Sequence, residues 1–339
     1  MHDASNGSLQ VDHSHTPYFV HPGKGIHVPS VHAATTPSTR LCDEDIRSGL
    51  ILKNHTLGDE IYRGPKTRVF KGKQSKMSRT ETVKVLLPSA FSNSNEEWIR
   101  FDRSAELMDQ VKSPHVPRVY ACDEDRGVPF HAYEHIHGMN LEQHVKVHGA
   151  YHWRAAFNDI LLPLLTVIEE CRAKGILHRD ISPVNTLVES ETWRALLTDF
   201  GVGVDLKTVA SGDRLTTDFS KVFNPASASP EQQECLKHCD FSTDIFGVGT
   251  VLLFSITGAG FEPDQARRWA SGLCDHKKRW PDGTDKLFAA NCPSWVGMIV
   301  QKMLEPDKEK RFASVKAIAT QVRYFLERED GGVETDPGM

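Results

Sequence analysis

The sequence predicts an α+β fold, and three observations carry the prediction. Thr186-Leu187-Val188 and Ala195-Leu196-Leu197 read as two short strands with polar Glu189 to Thr192 between them. From Phe157, the apolar positions Ile160, Leu161, Leu164, Val167, Ile168 and Cys171 recur at helical spacing, with Gly175 where a helix C-cap belongs. The longest apolar run, Ile245 to Ile256, contains Gly247, Gly249, Thr250 and Ser255, so it reads as a buried core helix and not as a membrane span.

Other elements follow from the same patterns. Trp98, Phe101, Ala105 and Met108 give a further helix its apolar face, and Ile176-Leu177 is a short buried run after Gly175. That run leads into His178-Arg179-Asp180-Ile181-Ser182-Pro183-Val184-Asn185, which the two strands separate from Asp199-Phe200-Gly201. Either string alone is weak. Their order and spacing place two metal-binding groups and a hydroxyl-binding carboxylate where phosphoryl transfer needs them.

Composition bounds the rest. With 339 residues, 39% hydrophobic content and 25% charge, the chain has length for a sizeable core or two lobes. A net charge of −5 gives no footprint for nucleic acid, and no segment reads as a membrane span. The first residues lack the basic start and apolar stretch of a secretion signal. Seven irregularly spaced cysteines suit free thiols, so a cytoplasmic location is expected, with the nucleus as the other compartment of that kind. Residues 1–50, rich in His, Ser and Pro, read as a disordered leader. His2, His13, His15, His21, His27 and His32 crowd it at spacings too irregular for a designed metal site.

From His178 to Gly201 the chain resembles the eukaryotic-type protein kinase superfamily, in a divergent serine/threonine form. Further motifs appear in order. Thr82-Val83-Lys84-Val85-Leu86 resembles the strand whose lysine holds nucleotide phosphates, 96 residues before Asp180. Ser229-Pro230-Glu231 resembles the end of the activation segment, Asp244 stands at the start of the central helix, and Arg311 is the partner expected for Glu231. The resemblance implies a two-lobed kinase fold over residues 51–331, with a small mostly-β lobe at about 51–137, a larger mostly-α lobe at about 138–331, and a flexible tail at 332–339.

Roles follow from the resemblance. Asp180 accepts or orients the substrate hydroxyl, Lys84 holds the phosphates of ATP, and Asp199 and Asn185 bind magnesium, for which manganese can substitute. Phe130 to Gly138 resembles the hinge: Glu134 and Ile136 offer backbone groups to adenine, Tyr133 limits the pocket and Asn140 lies near the ribose. Arg179 is expected to pair with a phosphate on the activation segment, at Ser220 or its neighbours Thr216 and Thr217.

The chain also departs from the pattern. Tyr62, Gly64 and Thr67 stand where three loop glycines are usual, so only Gly64 keeps that freedom. Ser104 stands where the family has the helix glutamate that pairs with the lysine, and Glu97 and Glu106 are the nearby carboxylates. Ser182 replaces the usual catalytic-loop lysine and Asn224 the usual threonine. The implied function is ATP-dependent phosphorylation of Ser/Thr in protein substrates. The alternative is a pseudokinase scaffold with weak or no turnover. Oligomeric state and substrate identity are left open.

Overall fold

Six strands build the sheet that carries Lys84. β1 (Ile51–Leu52), β2 (His55–Arg63), β3 (Thr67–Gln74), β4 (Arg79–Leu86), β5 (Val119–Asp125) and β6 (Val128–Glu134) lie in the order β1-β2-β3-β4-β6-β5. Every neighbouring pair is antiparallel. In β4 the period of two sends Val83 and Val85 into a core with Leu57, Phe70 and Phe130, and turns Lys84 to the other face. The computed structural model describes residues 40–92, 94–206, 226–260 and 292–330.

The compact unit begins at Leu41, ten residues before the boundary expected at residue 51. Ile46 is fully buried in the sheet core, its carbonyl accepts a hydrogen bond from Arg68, and the Asp43 carboxylate takes the Ser89 N–H at 3.0 Å. One buried isoleucine among polar residues leaves no periodic trace, which is why the sequence hides this anchor. Residues 1–39, with all six leader histidines, lie outside the described residues, as does the tail from 331.

Against the sheet, α1 (Pro88–Phe91) and α2 (Glu96–Gln110) pack Phe91, Trp98 and Phe101 onto Leu86. The larger core gathers α3 (Leu141–His148), α4 (Trp153–Ala155), α5 (Leu162–Lys174), β8 (Ile176–Leu177), β9 (Thr186–Glu189) and β10 (Ala195–Leu197), while β7 (Gly138–Asn140) pairs with β9 and β11 (Val204–Asp205) with β8. A π-helical turn at Ala156–Leu161 joins α4 to α5, next to Pro163, which has no N–H to continue the ladder. Gly175 ends α5 with φ 81°, as its place in the sequence predicts. Beyond the catalytic strings come α6 (Pro230–Glu234), α7 (Phe241–Thr257), α8 (Ser294–Met303) and α9 (Val315–Asp330).

α7 is the spine of this half, buried along nearly its whole length. Its Asp244 carboxylate accepts the backbone N–H groups of His178 and Arg179, both at 2.9 Å. A Cβ on Gly247 would stand 2.9 Å from the Ile181 Cβ, so a glycine is what lets the helix approach the loop this closely. Burial raises the Asp244 carboxyl to about 6, against the pull of the two N–H groups and Arg179.

Two charged or titratable features lock the loops to this core. Arg311 Nη1 and Nη2 meet Glu231 Oε1 and Oε2 at 2.7 and 2.8 Å, a bidentate pair that is almost completely buried. Thr243 Oγ1 donates to the same Glu231 at 2.8 Å, and Arg311 also donates to the carbonyls of Glu305 and Ser242. His178 is buried edge-on to Phe200, with ring centroids 4.5 Å apart. Its Nε2 lies 3.2 Å from the Thr198 carbonyl and its Nδ1 3.3 Å from the Asp180 N–H, which fixes a neutral ring protonated at Nε2. Burial pulls its pKa from 6.5 down to about 4.

Arg311→Met leaves Glu231 buried without its partner and should cost about 3–5 kcal/mol in denaturant unfolding. Replacing both residues by Met should recover much of that loss, whereas equal losses in single and double variants would show that the pair is not the cause.

The lowered pKa of His178 gives a contribution to stability that is fully present above 6.5 and lost as pH falls through about 4. Asp244 works in the opposite sense, its contribution being lost as pH rises through about 6, so the two offset each other in the intact protein. Comparison with His178→Phe isolates the first. The stability difference between the intact protein and that variant should be larger at about pH 6.5 than at about pH 4.5 by on the order of 2 kcal/mol. A difference that does not change with pH would mean that His178 is not held neutral.

Candidate active site

Four polar side chains form two bonded pairs, on β4 and on the loops that follow β8 and β10. Lys84 Nζ lies 2.9 Å from Asp199 Oδ2, and Asp199 Oδ1 accepts the Gly201 N–H at 3.2 Å. Asp199 itself has φ 61°, a left-handed conformation that a non-glycine residue holds only when its surroundings require it. Across the loop, Asn185 Nδ2 donates to Asp180 Oδ2 at 2.7 Å and to the Asp180 carbonyl at 2.8 Å. The hairpin β9–β10 supports both halves, since Thr198 N and Oγ1 donate to the Asn185 carbonyl at 2.9 and 3.0 Å.

The electrostatics suit a cation and a polyanion. Withdrawal from water would by itself raise the Asp199 carboxyl, but Lys84, through charge and hydrogen bond, holds it below its ordinary value. With Nδ2 committed to Asp180, the Asn185 amide leaves its Oδ1 as an oxygen donor. A carboxylate and an amide oxygen are the hard donors that magnesium takes, so the residues fit that ion.

No carboxylate of α2 pairs with Lys84 among the described residues. Glu97 is spent on Lys66 at 2.7 Å and Arg100 at 3.2 Å. Ser104 is buried close to the Tyr133 hydroxyl and offers Lys84 no charge. Tyr133 in turn lies 2.7 Å from His131 Nδ1, and His131 Nε2 lies 3.4 Å from Asp102 Oδ1. A polar circuit thus ties α2 to β6 where an ion pair with Lys84 was the family expectation. Sequence reading foresaw the lost ion pair but not this replacement, because Asp102, Ser104 and His131 share no motif.

The remaining residues fall as follows. Gly64 closes the β2–β3 turn, its N–H donating to Thr67 at 2.9 Å, with the Tyr62 ring folded over it. Glu134 ends β6 in register with Glu81, its N–H donating to the Arg118 carbonyl at 2.8 Å, and Ile136 sits in the connection to β7. Asn140 caps α3, its side chain accepting the Gln143 N–H at 2.8 Å. Ser182 is buried in the turn, its Oγ 3.4 Å from the Asn185 N–H, so it supports Asn185.

Arg179 also points inward. Its Nε and Nη2 donate to the Val202 carbonyl at 2.8 and 2.6 Å, and its own carbonyl accepts from Gln232 Nε2 at 2.6 Å. Ser220, Thr216, Thr217 and Asn224 lie outside the described residues. Gln232 escaped the sequence reading. Its place three residues after Ser229, in a capping box, was the available signal.

Known proteins share this arrangement. The protein kinase domain family matches residues 55–324. The chain is 27% identical over 274 residues to a probable serine/threonine-protein kinase of Clostridium perfringens, CPE1738, covering 80% of this chain and 38% of that protein. It is 25% identical over 289 residues to the probable serine/threonine-protein kinase PknB of Bifidobacterium longum, covering 82% and 40%. It therefore spans about two fifths of the length of these relatives. The fold is similar to the crystal structure of the Mycobacterium tuberculosis PknI kinase domain, with TM-score 0.61, 18% identity, and coverage of 82% of this chain and 99% of that one. Sheet, anchored loop and paired Lys84 and Asp199 agree with the match over residues 55–324, and the chain belongs to the protein kinase domain family.

Proposed function

We propose that this chain is a serine/threonine protein kinase, moving the γ-phosphoryl group of ATP to Ser or Thr hydroxyls of protein substrates. One observation carries the reading: Lys84 is paired with Asp199 while Asn185 holds Asp180, so nucleotide-binding and hydroxyl-binding groups stand ready in one loop system. Phosphoryl transfer asks for such positioning more than for covalent help.

In this reading Asp180 orients the incoming hydroxyl and takes its proton, while Asn185 Nδ2 fixes the carboxylate. Lys84 holds the nucleotide phosphates as a point charge. Magnesium, or manganese in its place, would be held by Asp199 and the Asn185 side-chain oxygen, supplying neutralisation of phosphate charge. Glu134 and Ile136 present backbone groups to adenine, and Gly64 lets the loop backbone approach the phosphates. Asn140 would offer its side-chain N–H to the ribose, its Oδ1 being held by the α3 cap. Pro183 favours Ser and Thr over Tyr as acceptors. Phosphate at Ser220, Thr216 or Thr217 would draw Arg179 from the Val202 carbonyl, since a charge-assisted bond outcompetes a neutral one. The described cysteines are all free thiols, which fits a cytoplasmic site of action.

Labelled ATP, magnesium and a mixture of generic Ser-, Thr- and Tyr-containing substrates test the proposal. Transfer to Ser or Thr is expected, with Asp180→Ala and Asp199→Asn each lowering it by about 100-fold or more while melting as the intact protein does. Equal label in the intact protein and both variants would remove the catalytic reading.

A further inference from the structure

Under α2 and beside Lys84, which stands opposite His131 in the strand register, three metal-ligating side chains converge from three elements. Cys122 of β5 and His131 of β6 stand opposite each other in the strand register, and Asp102 of α2 lies over both. His131 Nε2 is 3.4 Å and Cys122 Sγ 3.7 Å from the same atom, Asp102 Oδ1, and all three ligand atoms lie within 4.8 Å of one another. Ligands bound tetrahedrally to zinc at about 2.0–2.3 Å stand about 3.3–3.8 Å from one another. Both separations from Asp102 match that spacing, and the third lies within 4.8 Å.

We propose that Asp102, Cys122 and His131 form a three-ligand zinc site that staples α2 to strands β5 and β6. The donor set argues for the metal: thiolate and imidazole select zinc over the oxygen-seeking magnesium of the nucleotide site. Two anionic ligands and a neutral ring match a divalent charge. Glu106 and Asp123 add negative potential at the thiol. Three protein ligands leave the fourth position to water.

The surroundings are those of an oriented site. His131 is completely buried and stacks on Phe101 with centroids 3.8 Å apart and an interplanar angle of 15°. Its other nitrogen, Nδ1, meets the Tyr133 hydroxyl at 2.7 Å, and Asp102 Oδ2 accepts from Trp98 Nε1 at 2.9 Å. Such outer partners fix the ring and the carboxylate before the ion arrives. Cys122 is exposed and supplies the entry path.

Proton balance links this site to the back of the nucleotide pocket. Thiolate ligation requires the Cys122 S–H to lose its proton, while the buried His131 ring is neutral. Binding releases the thiol proton to solvent. To ligate through Nε2, His131 must carry its hydrogen on Nδ1, which then donates to the Tyr133 hydroxyl.

Cobalt(II), added to the full chain after chelator treatment, tests the site. Binding should produce a thiolate-to-cobalt charge-transfer band in the near ultraviolet, a signature that the leader histidines cannot give, and zinc but not excess magnesium should remove it. Cys122→Ser should abolish the band while the apo protein melts unchanged, and Asp102→Asn should weaken binding by about tenfold or more. Zinc should raise the melting temperature of the intact protein and not that of Cys122→Ser. No band at saturating cobalt, or a band that survives Cys122→Ser, overturns the proposal.

Discussion

The site depends on one carboxylate that never meets a substrate. Asp244, buried in α7, receives the backbone N–H groups of His178 and Arg179 and so fixes the loop that carries Asp180 and Asn185. Two bonds to backbone constrain position more strictly than bonds to side chains, because the main chain has only two soft dihedrals per residue. Arg179 has φ 62°, a conformation that the loop would relax without that hold. Gly247 and the neutral ring of His178 complete the support, one by absence of a side chain and the other by absence of charge.

The second support is the Glu231–Arg311 pair. It brings α6 against the start of α7 and against the turn before α9, joining segments 80 residues apart in sequence. A buried ion pair adds little net stability by itself. Its worth here lies in specificity, since neither charge tolerates any other arrangement in that interior.

Much of this was legible in the sequence because its periodicities and motif spacings have single physical solutions. The strands read at Thr186–Val188 and Ala195–Leu197, the Gly175 cap and the buried helix read from Ile245 to Ile256 follow from apolar pattern alone, and the structure extends them to Thr186–Glu189 and Phe241–Thr257. So does the partnership of Glu231 with Arg311, once the motif order is recognised. What stayed hidden depends on contacts between distant, pattern-free residues. Ile46 is one apolar residue in a polar stretch, Asn140 caps a helix through a side chain that also suits a ribose, and Asp102, Cys122 and His131 meet only after α2 packs on the sheet.

The ion pair of Lys84 has a consequence for communication inside the protein. A ligand shifts a conformational equilibrium only as far as it contacts the two states differently. Among the described residues Lys84 pairs with Asp199 and with no carboxylate of α2, so a nucleotide held by that lysine has no direct ion pair through which to pull on the helix. Coupling between the nucleotide pocket and α2 runs instead through neighbours: Lys84 stands opposite His131 in the strand register, His131 reaches Asp102 of α2, and Leu107 of α2 packs in the same core as Phe200.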